Sequence, residues 1–175
     1  MAGGADPFDA LGLPARFDLA DGEIERAYLA RIARSHPDRA GGQTVDSAAL
    51  NRARTTLLDR ERRGEALLRR LGGAEASADR SLPDGFLMEM MELRTEIDAS
   101  ISARGDQARR EWEAWAARRR DEHAASAGAL FARAEAGDAS ALRDLRRELN
   151  AWRYTERLIE QLDPDYDPSR SDFGP

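Results

Sequence analysis

Apolar residues in this chain recur at intervals of three and four, and glycine or proline interrupts most of the places where one such run gives way to the next. Ile24, Ala27, Tyr28 and Ile32 form one run; Leu50, Ala53, Leu57 and Leu58 form another; Phe86, Met90, Leu93, Ile97 and Ile101 a third; Leu142, Leu145, Leu149 and Trp152 a fourth. That period belongs to a helix burying one stripe. Alanine, leucine, arginine and glutamate dominate and favour helix, while β-branched residues are scarce, so a substantial sheet is not expected. The pattern predicts an all-α fold.

The punctuation divides the chain. A short helix is expected over 6–13, with Pro7 at its first position and Gly12 near its end. Asp21 is read as the cap of a second helix, which stops at Ser35-His36 because the residue before Pro37 is steered away from helical geometry. A loop with Gly41-Gly42 follows, then a third helix capped by Asp46 or Ser47 and a fourth over 62–71. Residues 72–85, with Gly72-Gly73, Pro83 and Asp84-Gly85, break the pattern and are read as a linker between two domains. Beyond them three longer helices are expected, over 83–103, 106–136 and, capped by Asp138, on to Leu162; the connections are short, which implies an antiparallel three-helix bundle. The expected division is therefore 1–71, linker 72–85, bundle 86–162, and an acidic tail 163–175 that Pro164, Pro168 and Pro175 keep disordered.

Composition removes several functions. There is no cysteine, which excludes disulfides, thiolate metal sites and cysteine-held clusters, and with two histidines an all-protein zinc site is not expected; no cofactor or metal is assigned. The net charge of −6 does not suit nucleic-acid binding, and the run Arg118-Arg119-Arg120 is flanked by acids and read as a solvated face. No apolar stretch approaches the roughly 18 residues of a membrane span, and the N-terminus has no secretory pattern, so a cytoplasmic protein without a membrane partner is expected. His123 is read as a satisfied seam histidine.

The triplet His36-Pro37-Asp38 lies between an amphipathic helix and a loop, and a second amphipathic helix follows. Pro37 ends the helix sharply, Asp38 is a short carboxylate suited to an arginine fork on a partner, and His36 can donate or accept. The setting resembles the J-domain, an antiparallel finger tipped by this triplet; Tyr28, eight residues before His36, and Asn51 with Ala53 and Leu57 also match its pattern. The resemblance implies that the triplet engages a DnaK-type ATPase and stimulates it, with Arg26, Arg34 and Arg39 assisting, and that the catalytic groups belong to the partner. As an acid–base pair in an enzyme, His36 and Asp38 would need a nucleophile or metal partner, and the nearby sequence offers neither. Two positions depart from the J-domain pattern. Arg31 stands where a leucine is usual and Ser35 where an apolar residue is common; either the Arg31 stem snorkels, or the helix is rotated so that Ile32 takes the buried place.

The segment Phe86-Leu87-Met88-Glu89-Met90-Met91-Glu92-Leu93 resembles the start of the C-terminal domain of the HscB family of co-chaperones. Arg63-Gly64 with Leu67-Leu68, and Trp152-Arg153-Tyr154, resemble its connecting and last helices. This resemblance implies a bundle that binds an IscU-type iron–sulfur scaffold and presents it to an HscA- or DnaK-type chaperone. A J-domain co-chaperone for a different client, or for general unfolded chains, is the alternative. Helix geometry adds an independent argument. At about 100° per residue, Leu87, Met88 and Met91 fall about 100–200° from the Phe86 stripe, with Glu92 and Glu96 beside them. Apolar residues with an acidic rim suit a protein-binding patch, and Tyr154 lies similarly off the seam of the last helix. The competing expectation is that this helix is buried on two sides. The expected scaffold-binding set is Leu87, Met88, Met91, Glu92, Glu96 and Tyr154.

Overall fold

The computed structural model describes residues 6–34, 47–160 and 162. Among them there are seven helices and no strand: α1 Pro7–Leu11, α2 Asp21–Arg34, α3 Ser47–Leu58, α4 Arg60–Arg70, α5 Phe86–Arg104, α6 Asp106–Glu135 and α7 Ala141–Glu160.

Local chemistry fixes the ends. The Asp6 carboxylate accepts from the Phe8 and Asp9 amides at the start of α1, and Gly12, at φ 69°, closes the helix in the left-handed region. Asp21 is the first residue of α2 rather than its cap. The Ala20 carbonyl takes the first helical bonds, and the Glu23 carboxylate returns to the Ala20 amide at 3.0 Å. Asp59 caps α4 through the Arg62 amide, so α4 starts at Arg60, two residues earlier than the apolar pattern suggests. α5 begins at Phe86, after Gly85 at φ 77°. Asp138 holds Ser140 through its amide and hydroxyl, and organises the turn before α7 rather than capping the helix directly.

α2 and α3 pack side by side against α1. Ile24, Leu50 and Leu57 are buried beneath Phe8 and Leu11. Where their polar faces meet, the Tyr28 hydroxyl donates to Asn51 Oδ1 at 2.6 Å, and Arg54 forks the Glu25 carboxylate while its guanidinium lies 5.3 Å from the Tyr28 ring centre. Arg31 is half-buried and Nε donates to the Leu11 carbonyl at 3.3 Å, while Ile32 packs against the core; the arginine therefore serves the last turn of α1 instead of entering the apolar stripe.

The core continues past residue 71. One apolar cluster runs from Phe8, Leu50 and Leu67 into Ala127, Phe131, Leu145, Leu149 and Trp152 of α6 and α7. Phe17 stacks on Phe131 with ring centres 5.1 Å apart, and the ring also approaches Gly64 and Gly128. A second, smaller cluster of Phe86, Met90, Ile97, Ala151 and Leu158 joins α5 to α7. Residues 72–85 contain no helix but are bound to α7: the Arg146 guanidinium donates to the Ala74 carbonyl, and the Asn150 amide donates to the Asp79 and Ser81 carbonyls at 3.0 and 2.9 Å.

Candidate functional site

Two surfaces matter, one on α2 and one on α5. On α2, Arg26 and Arg34 are both exposed; Arg26 lies opposite the buried Ile24 and Arg34 at the side of that stripe. The motif residues His36, Pro37 and Asp38, together with Arg39, lie outside the described residues.

On α5, the seam and the outer face separate cleanly. Phe86, Met90 and Ile97 are buried, whereas Leu87, Met88 and Met91 are 50, 66 and 68% exposed. Glu92 and Glu96 are exposed on the adjoining arc. The helix therefore buries one side only, and three large apolar side chains stay in water at a hydration cost. Tyr154 is 40% exposed and its ring meets Phe86 edge to face, with centres 5.8 Å apart. Tyr154 thus reaches α5 through its first residue rather than through the outer face. Sequence reasoning did not foresee the pairing of Glu89 with Arg119 of α6 at 3.2 Å, which holds α5 beside the patch; the two residues are 30 positions apart and no local pattern connects them.

Several other polar groups tie the helices together. The Glu148 carboxylate can only accept, so it fixes a proton on His123 Nδ1, 2.7 Å away; Nε2 pairs with the Thr155 hydroxyl at 3.1 Å, and the ring stacks on Trp152. Arg119 and Arg120 pair with Glu89, Glu122 and Glu156. Arg63, almost fully buried, donates to the carbonyls of Phe17, Leu19 and Leu57 and binds the base of the finger to the connecting helix. Burial pushes the Glu61 carboxyl up to about 7 despite the attraction of Arg153. A cleft of 520 Å³ between α4, α6 and α7 has Glu61, Arg120, Trp152 and Glu156 in its wall and no serine, threonine or histidine. Among the described residues no helix is long and apolar enough to cross a membrane, and no group of three or more histidine, aspartate or glutamate residues is arranged to hold a metal ion.

Comparison with known proteins is consistent with this geometry. Residues 82–163 match the family described as the HSCB C-terminal oligomerisation domain. The chain is 32% identical over 165 residues to a co-chaperone protein HscB homolog of Burkholderia mallei (strain SAVP1), covering 89% of this chain and 90% of that relative. It is 39% identical over 109 residues to the homolog of Vibrio cholerae serotype O1 (strain M66-2), covering 57% and 63%. Among solved structures, the fold resembles human co-chaperone protein HscB, with a TM-score of 0.71 at 21% identity over 93% of this chain and 82% of that one. Chaperone HscB from Vibrio cholerae gives 0.60 at 26% identity, over 90% and 99%. These matches disfavour the general-client alternative. With its helical bundle matched by the family and nearly its whole length matched by curated relatives, this chain belongs to the HscB family, co-chaperones of iron–sulfur cluster biogenesis.

Proposed function

We propose that this chain is a non-enzymatic adaptor in the cytoplasm, delivering an IscU-type cluster scaffold to a DnaK- or HscA-type ATPase. In this reading residues 1–71 form the J-domain with its connecting helix, 72–85 the crossover, and 86–162 the scaffold-binding bundle, followed by the tail. His36, Pro37 and Asp38, flanked by Arg26, Arg34 and Arg39, stimulate ATP hydrolysis by the chaperone. Leu87, Met88 and Met91, with Glu92, Glu96 and Tyr154 around them, receive the scaffold. The observation that most supports the reading is the exposure of three large apolar residues in the first two turns of α5 while its own seam is filled. A few apolar anchors of this kind dominate most interfaces, and rim carboxylates act chiefly on association rate.

The test uses the purified scaffold and ATPase from the same genome in a single-turnover hydrolysis assay. Hydrolysis accelerates with this chain and accelerates further when chain and scaffold are added together. No acceleration by the chain overturns the chaperone half of the proposal; acceleration that ignores the scaffold overturns the client half.

A further inference from the structure

The contact of the connecting helix α4, at the base of the finger, with α7 of the bundle has two unlike halves. One half is smooth and apolar. A Cβ on Gly64 of α4 would lie 2.9 Å from a Leu149 methyl of α7, and the Phe17 ring packs beside them. Contacts between methyl groups, a glycine and a ring face are non-directional and leave the register of one helix on the other loosely specified.

The other half is an ion-pair ladder. Arg146 of α7 is 1% exposed and forks Glu65 of α4 at 2.7 and 2.5 Å. Arg153, two turns on, reaches Glu61 at 3.1 Å and Glu65 at 3.4 Å. Glu61 precedes Glu65 while Arg153 follows Arg146, so the rungs define an antiparallel register. Sliding α4 by one turn towards Arg153 would leave the Arg146 guanidinium buried without a carboxylate, which low-dielectric surroundings penalise heavily. Arg146 Nε also holds Asn150 at 3.0 Å, and Asn150 holds the carbonyls of Asp79 and Ser81, five residues before the first turn of α5. One cluster around the buried Arg146 therefore fixes three things at once: the connecting helix α4 that carries the finger, the crossover, and the approach to the helix that carries the exposed patch.

We propose that Arg146 and Glu65 are positioning residues: they hold the finger at a single register on the bundle, and so couple occupancy of the α5 patch to stimulation of the ATPase. The proposal rests on the function proposed above. Ion pairs of this kind contribute little net stability over apolar replacements of similar volume but impose direction, and direction is what the apolar half of the joint lacks.

The paired variant Arg146→Met with Glu65→Met removes both charges together, and its folding is checked by a melting curve; Glu65→Gln, which leaves the buried Arg146 guanidinium without its carboxylate, serves as the harsher second variant and is checked in the same way. The chain has no cysteine. Ala33→Cys on exposed α2 and Ser102→Cys on exposed α5 therefore give two unique spin-label sites. Wild type is expected to give one narrow distance distribution and both variants a broadened or shifted one. Scaffold affinity, and stimulation of the ATPase by the chain alone, stay as in wild type. The extra stimulation produced by scaffold falls about five-fold or more, the lower end of typical coupling between sites. A broad distribution in wild type, or full scaffold-dependent stimulation by a folded paired variant, overturns the positioning role. A wild type that does not bind scaffold refutes the proposed function instead, and the distance measurement still decides the register.

Discussion

Replacing Leu87, Met88 and Met91 together by alanine separates binding from stability. Burying a leucine or methionine fully is worth about 1.5–3 kcal/mol. These three side chains are already 50, 66 and 68% exposed, so a partner can bury between half and two-thirds of each. That leaves about 1–2 kcal/mol apiece and about 3–5 kcal/mol for the set, a loss of between a hundred- and a few thousand-fold in scaffold affinity. The fold loses only the smaller fraction already covered, and alanine is a better helix former than either residue. A shift of a few degrees in Tm is expected, since about 1 kcal/mol moves a chain of this size by about 2–4 °C. Met90 is the internal control. It sits between Met88 and Met91 in sequence but is 3% exposed, so Met90→Ala is expected to cost about 2–5 kcal/mol of stability. Calorimetry against the scaffold and a melting curve on the same samples decide the matter. An unchanged Kd for the triple variant refutes the site, and a collapsed Tm refutes the assignment of these residues to the surface.

Asp38→Asn keeps the shape of the motif but removes the charge that an arginine fork needs; with about 1.5–3 kcal/mol at stake, ATPase stimulation should largely vanish while the melting curve and scaffold binding stay put. Glu61 predicts a pH dependence. Its folded pKa, raised by burial to about 7, lies above the unfolded carboxylate value of 4.5, so the folded state binds the extra proton between these limits and the Glu61 contribution to stability falls as pH rises through them. Glu61→Gln removes that slope, and the Tm of the variant relative to wild type should climb from pH 5 to pH 8; a constant difference would contradict the assignment. Arg31→Leu restores the apolar residue usual in J-domains but strips the Leu11 carbonyl of its donor, and a lower Tm, not a higher one, is expected.

Most of the helices were legible because the signal is local. The period of Ile24 to Ile32, or of Leu145 to Trp152, is set by how a single helix meets water on one side, and the structure puts Ile24, Leu145, Leu149 and Trp152 inside. The errors were at helix ends, where a competing acceptor decides. Asp21 has the right chemistry for a cap, but Glu23 reaches back to the Ala20 amide and moves the start by one residue. Arg31 shows the same limit within a helix. Its sequence position left two alternatives open, and the choice depended on the Leu11 carbonyl, 20 residues away, which accepts from its guanidinium.

The patch on α5 and the joint beside it differ in legibility for a physical reason. Leu87, Met88 and Met91 could be placed off the seam by angle, and their exposure shows that neither α6 nor α7 covers that side of the helix. The joint could not be placed this way. Glu65 and Arg146 are 81 residues apart, and in sequence each looks like one more charge among the 34% that the chain carries. What distinguishes them is that Gly64 lets α4 approach α7 closely enough to bury Arg146 against a half-buried Glu65. A missing side chain on α4 thus goes with a buried charge on α7, and a buried charge specifies geometry in a way that the exposed charges of α6 do not. The proposed recognition surface is set by what α5 leaves uncovered, and its position relative to the finger by what α4 and α7 cover together.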